Sequence, residues 1–169
     1  GQPKAQAAAA FLRALNPAVQ VTPHVAWATP ANAPALVAAA DLVLDCADSF
    51  AASYMLSDLC FAAGKPLISA SALGLSGYVG GFCGGAPSLR AVFPDLPDDL
   101  ATCASAGVLG PVVGMLGAMQ AQMALAVVLG LAPSPLGLLM RHDLRDYRSA
   151  SIRFDGAPEP ANPHRFIAK

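Results

Sequence analysis

Apolar and polar positions follow two periods along this chain, and the switch between them marks out the elements. The first stretch, 4–15, is rich in Ala, a strong helix former, and Pro3 sits at its first turn, where a missing N–H costs little. Asn16-Pro17 ends it. Val19, Val21, Val25 and Trp27 then alternate with Gln20, Thr22, His24 and Ala26, which is strand spacing, so a strand is expected over 19–25. Pro23 within it favours a sheet edge. Thr29-Pro30 and Pro34 bracket a loop, and 34–39 reads as a short helix. A buried strand over 41–45 leads into a helix over 49–63 closed by Gly64, and 66–70 is another buried strand. The run 77–83 is a further strand, weakened by Gly80 and Gly81. Residues 84–102 form a long excursion, broken by Gly84, Gly85, Pro87, Pro94 and Pro97 and kept wet by Asp95, Asp98 and Asp99; loops of that length are usually functional. A helix over 108–129 follows, then a hairpin from 138–142 and 151–154, and a Pro-rich irregular tail from Gly156.

Strands alternating with helices imply an α/β sheet. A length of 169 residues suits one domain, expected over 1–155 with 156–169 as its tail. Charged residues make up 12% and hydrophobic residues 55%. A surface so poor in charge fits a large apolar interface. A net charge of -1 with no basic block argues against nucleic acid as a partner. Nothing between Cys103 and Arg141 is charged, and Gly110 and Gly114 have the spacing of a membrane helix pair. Pro111, Gln120 and Gln122 interrupt that run, so it is read as a helix buried in a soluble core and no membrane is expected. Cys46, Cys60, Cys83 and Cys103 form no C-x-x-C pair. With Cys46 and Cys60 inside buried elements, they read as reduced core thiols of a cytoplasmic protein. The chain opens without a signal peptide or an initial Met, so residue 1 reads as a processing scar.

The candidate chemistry centres on Asp45 and Asp48. Carboxylates just past a buried parallel strand lie at the carboxyl edge of the sheet, where open α/β sheets bind ligands. Asp45 reads as structural, and Asp48 equally as a ligand-site carboxylate or a helix N-cap. Lys4 on a first helical turn reads by itself as solvated, and Cys103 as an inert thiol without a His partner. His24, His142 and His164 carry no assigned chemistry. Arg141, Arg145, Arg148, Asp143 and Asp146 read as a solvated hairpin with surface ion pairs.

Several segments, in order, resemble the ThiF/MoeB/HesA group of E1-like activating enzymes. Gln2-Pro3-Lys4-Ala5 matches G-x-P-K-A, Asn16-Pro17 matches N-P, and Asp41 to Asp48 matches D-L-V-L-D-C-T-D. Gly64-Lys65-Pro66-Leu67 matches G-K-P-L, Thr102-Cys103 with Gly107-Val108 matches T-C-x-x-x-G-V, and Gly114 to Ala121 matches G-x-x-G-S-x-Q-A. The resemblance implies a truncated Rossmann-like mixed sheet of the ThiF/MoeB type, lacking the first two strands. It implies ATP- and magnesium-dependent adenylation of the C-terminal glycine of ubiquitin-like sulfur carriers, in molybdopterin or thiamine biosynthesis. By the same resemblance Lys4 takes the place of the lysine near the triphosphate. Asp48 takes that of the aspartate holding magnesium or the adenylate, and Cys103 that of the crossover-loop cysteine.

The departures shape the expectation. The glycine-rich phosphate loop and the ribose-binding acid have no counterpart in the chain. The family's D-N-x-x-x-R reads Asp48-Ser49-Phe50-Ala51-Ala52-Ser53, with serines for its asparagine and arginine. Its zinc pair reads Ser88-Leu89-Arg90-Ala91, so no zinc is expected. The expected protein is inactive alone, a dimeric scaffold or pseudoenzyme needing no cofactor. The alternative is the C-terminal half of a split adenylyltransferase, using ATP and magnesium once a nucleotide-binding partner completes it. A homodimer through the 108–129 helix, a sulfur carrier and that partner are the expected contacts. Strand 19–25 should be detached. It then slides across to pair with strand 41–45, or is completed by a second copy or by another polypeptide.

Overall fold

The computed structural model describes residues 1–94 and 107–161. Five strands form one mixed sheet in the order β1-β2-β3-β4-β5: Val43–Asp45, Pro66–Leu73, Ser76–Cys83, Leu138–Asp143 and Arg148–Arg153. β1 runs parallel to β2, with Asp45 opposite Ser69, and every other pairing is antiparallel. The helices are α1 (Lys4–Leu15), α2 (Ala33–Ala39), α3 (Phe50–Ala63), α4 (Leu89–Val92) and α5 (Gly110–Val128).

Side chains alternate across β2, and this alternation builds two cores. Leu67 points into one, with Tyr54, Phe82, Leu89, Leu139 and Phe154, beneath α3 and α4. Ile68 points into the other, with Val79, Val112, Leu116 and Met123, beneath α5. The middle of the sheet is thus covered on both faces, whereas β5 is exposed along its whole length. α3 starts on Ser49, whose Oγ accepts the Ala52 N–H, and stops on Gly64 in the left-handed conformation.

The expected strand over 19–25 does not form. Residues 16–29 contain neither helix nor strand, and among the described residues β1 lies at the sheet edge with no strand on its outer side. The alternation of Val19, Val21 and Val25 has no neighbouring backbone to pair with, and Pro23 lacks a donor. The detachment is therefore observed, but the slide onto 41–45 is not. Arg13 of α1 donates to the Val21 carbonyl at 2.6 Å, which folds the segment back on its own helix. Of α1 only Ala9 is buried, while Phe11, Leu15, Val25 and Trp27 stand exposed.

Three further expectations change. β3 forms over its whole length, and two of its glycines sit in close contacts. A Cβ on Gly81 would lie 2.5 Å from the Pro135 carbonyl oxygen, and one on Gly77 would collide with the Ser71 carbonyl oxygen and Leu116. Glycine is what lets α5 and the 135–136 segment close onto the strand. α5 is only half-buried: Val112, Leu116, Gln120 and Met123 face the sheet, whereas Val113, Leu125 and Val128 are exposed. Among the described residues it is the one helix long and apolar enough to cross a membrane. Cys46 is exposed, because β1 ends one residue before it, while Cys60 and Cys83 are buried free thiols.

Within the excursion, Leu89–Val92 forms α4. Arg90 on α4 is buried and forms a two-bond ion pair with Asp58 of α3, at 2.6 and 2.8 Å. The tail has no regular structure over 157–161 but is held, since the Glu159 carboxylate accepts the Ser88 N–H and Oγ–H, both at 2.6 Å. The hairpin Arg and Asp residues form no ion pair among themselves; Asp143 instead accepts the Arg145 N–H. His142 is buried, with Nδ1 on the Ser149 hydroxyl.

Candidate functional site

β1 stops at Asp45, and the chain turns through Cys46, Ala47 and Asp48 into α3. Asp45 is fully buried, and its two carboxylate oxygens are both used. Oδ1 accepts the Ala47 N–H at 3.0 Å, closing the turn, and Oδ2 accepts the Ser69 hydroxyl at 2.7 Å from the adjacent strand. This is the structural role expected of it. The next carboxylate, Asp48, is exposed and has no hydrogen bond or ion pair among the described residues. The N-cap reading of Asp48 is overturned, since Ser49 holds that position. Asp48 is left with free oxygens at the carboxyl end of a parallel strand.

From the other side of the sheet Gln120 reaches the same turn. Its Nε2 donates to the Asp45 carbonyl at 2.7 Å and to the Ile68 carbonyl at 2.9 Å. Its Oε1 accepts the Cys46 thiol at 3.4 Å. Although the residue as a whole is exposed, desolvation of its thiol against Gln120 and then the negative charge of Asp45 push the Cys46 thiol upward, and the bond to Gln120 only partly offsets them. Cys46 therefore holds its proton near neutral pH and is a poor nucleophile. Tyr78 is pushed up to about 12, chiefly by burial, with a hydrogen bond to Ser69 acting in the opposite direction and Asp45 and Tyr54 adding to the rise. The turn thus rests on neutral donors and one structural carboxylate, with Asp48 as its free acid.

Lys4 is exposed on the first turn of α1, and no hydrogen bond or ion pair joins it to Asp48. Cys103 lies outside the described residues, as do Asp95 to Thr102 and His164. No group of three His, Cys, Asp or Glu suited to a metal occurs among the described residues. An exposed carboxylate such as Asp48 offers hard oxygen of the kind that magnesium carried on phosphates accepts. Ser49 and Ser53 both serve the helix start: Ser53 is buried and its hydroxyl donates to the Ser49 carbonyl at 3.4 Å. An open trough of about 650 Å³ lies elsewhere, on the β4–β5 hairpin, lined by Arg141, Asp143, Tyr147 and Arg148.

Sequence reasoning missed Gln120, Ser69 and Tyr78 as parts of this site. Polar residues in stretches otherwise apolar enough to be buried were the available signal, since a buried polar group must find a partner.

Residues 1–163 match the model of the ThiF family. The chain belongs to the ThiF family. Among curated ThiF-like relatives, adenylyltransferase and sulfurtransferase MOCS3 of Bos taurus is 45% identical over 158 residues, covering 90% of this chain and 35% of that protein. Adenylyltransferase and sulfurtransferase uba4 of Aspergillus terreus is 36% identical over 168 residues, covering 90% of this chain and 35% of that protein. The ThiF chain thus spans about a third of the length of these relatives. Among solved structures, E. coli MccB with ATP superposes with a TM-score of 0.74 at 14% identity, covering 95% of this chain and 50% of that one. Selenomethionine PaaA superposes at 0.71 and 17%, covering 91% and 56%. These likenesses establish the Rossmann-like mixed sheet expected from the sequence.

Proposed function

We propose that this ThiF-family chain acts in the ATP-dependent activation of a ubiquitin-like sulfur carrier. In this reading it supplies the Asp48 edge of the adenylation site, and a nucleotide-binding half completes that site. The observation that carries the reading is Asp48 itself: an unpaired, exposed carboxylate at the carboxyl end of β1, on a turn fixed from both sides. Such a carboxylate offers hard oxygen to the magnesium of a magnesium–ATP complex. Identity to relatives named adenylyltransferase and sulfurtransferase supports the reaction class. The free outer edge of β1, the unpaired 16–29 segment and the exposed apolar residues of α1 support completion by further structure, since open strand edges invite pairing. Lys4, on α1, then reaches the triphosphate only once α1 is docked, and Cys103 acts later on the activated carrier.

A specific observation favours a second reading, an inactive dimeric scaffold in the cytoplasm that binds a carrier without adenylating it. The positions of the family's asparagine and arginine hold Ser49 and Ser53, both spent on the helix start. Phosphoryl and nucleotidyl transfer rely on placed charge, and an arginine is a large part of it.

ATP–pyrophosphate exchange separates the two. The adenylation reading predicts no exchange by the chain alone, and exchange once a nucleotide-binding half and a carrier ending in glycine are added. Carrier binding with no exchange under any combination would replace it with the scaffold reading.

A further inference from the structure

Gln120 is 4% exposed, and all of its hydrogen-bonding groups but one acceptor lone pair are committed. Both amide protons go to main-chain carbonyls of neighbouring strands, and the side-chain oxygen takes the thiol of the residue that follows β1. Leu44 lies opposite Ile68, so the two carbonyls belong to β1 and β2 at the level where β1 ends. The helix that carries Gln120 is fixed at its start as well. Gly74, in the β2–β3 turn, donates to Gly107 and accepts from Leu109, just before α5 begins. A core helix needs no such side chain for packing: an apolar residue of the same volume fills the space as well. What an apolar residue cannot do is hold the end of β1.

We propose that Gln120 is a positioning residue that clamps the Asp45–Asp48 turn to α5, so that the Asp48 carboxylate is presented in one geometry. The proposal rests on the reading of Asp48 as the ligand carboxylate. The turn is pinned at four points: the Asp45 carbonyl and the Cys46 thiol by Gln120, Asp45 Oδ1 by the Ala47 N–H, and Asp45 Oδ2 by the Ser69 hydroxyl. Gln120 supplies both pins that come from the α5 face, the carbonyl bond being the stronger. Without it the Asp45 and Ile68 carbonyls lose their side-chain donor, and the turn gains freedom at the point where Asp48 is aimed. A misplacement of about 1 Å at a reacting group costs roughly 100-fold in rate.

Amide hydrogen exchange of the full chain tests the clamp without any catalytic assay. In the wild type, the Gln120 side-chain NH₂ protons and the Ala47 amide should exchange slowly. In Gln120→Met, which keeps the volume, the Ala47 amide should exchange about ten-fold faster or more, from the loss of two buried hydrogen bonds. The Val79 and Phe82 amides of β3 should keep their wild-type rates. Cys46→Ala, which removes only the thiol contact, should leave Ala47 within about two-fold of wild type, because the weak sulfur donor contributes least. Uniform acceleration at Ala47, Val79 and Phe82 would reduce Gln120 to a general core contact and overturn the proposal. Free exchange of the Gln120 NH₂ protons in the wild type would overturn it too, and needs no variant that folds. Pyrophosphate exchange judges the role of Asp48 separately. A protected Ala47 with no effect of Asp48→Asn on that reaction would sink the reading of Asp48 while the clamp stood.

Discussion

Asp58 and Arg90 form two short hydrogen bonds inside the protein, and the Arg90 guanidinium lies 4.6 Å over the Tyr54 ring. α4 is held to its surroundings by two polar contacts. Arg90 ties it to α3, and Ser88 takes the Glu159 carboxylate from the tail. Because the pair is buried, removing one member is costly: Asp58→Ala removes both short hydrogen bonds to Arg90, at about 3 kcal/mol or more. Urea unfolding should show this loss, and Arg90→Met combined with Asp58→Leu should recover part of it. A single-variant loss below about 1 kcal/mol would place the pair with weak surface contacts.

At the scale of elements, the close approach of the 135–136 segment to β3 depends on Gly81. Gly81→Ala should destabilise the fold by about 1–3 kcal/mol, since the added carbon meets main chain that cannot swing aside. Thermal unfolding gives the check, with Gly114→Ala on α5, where a Cβ meets nothing, as the tolerated control. The same pair of glycines marks how far the sequence could be read. Apolar runs and the turn residues between them located β1 to β4 and α2, α3 and α5, because most of these elements bury apolar positions in or against one sheet, while β5, exposed along its length, was placed only roughly, at 151–154. They misread Gly80 and Gly81 as weakness, since what a glycine admits depends on a segment more than fifty residues later. They misplaced a strand over 19–25, since alternation reports a preference and a ladder needs a second backbone. Asp45 and Asp48 were legible from their place after a buried strand, but their different roles were not. Those were decided by Ser69 and Ser49, one on the next strand and one at the helix start. Gln120 looked like a blemish in an apolar helix and proved to be a contact between that helix and the site.

At the scale of the molecule, the two cores are unequal in their chemistry. The core beneath α3 and α4 holds Cys60 and Cys83. Burial, with a smaller contribution from Asp45, pushes Cys60 from its ordinary 9.0 to about 11. Burial pushes Cys83 to about 12 against the opposing hydrogen bond from Ser57. Tyr78, packed on the same core, rises from 10.0 to about 12. In each case the folded state keeps its proton at a pH where the unfolded chain has lost it. The stabilisation is complete below about pH 9 and is lost as pH rises through 11 to 12. The urea midpoint should therefore be flat from neutral pH to about pH 9 and fall steeply above it, with a shallower fall in Cys83→Ala. A midpoint that rose in that range would contradict the buried-thiol account.

The outer edge of β1 and the unburied side of α1 make the molecule asymmetric: β2 and β3 are packed on both faces, while the N-terminal end carries a segment, 16–29, with neither helix nor strand. Asp48→Asn tests the account most directly, assayed by ATP–pyrophosphate exchange in the chain completed by its nucleotide-binding half. Because Asp48 is exposed and unpaired, the substitution should leave stability within about 0.5 kcal/mol of wild type. Exchange should fall by about 100-fold or more, the scale on which a charge placed at a transferring phosphate matters. Undiminished exchange in the folded variant would contradict the assignment of the β1 edge as the site of the reaction.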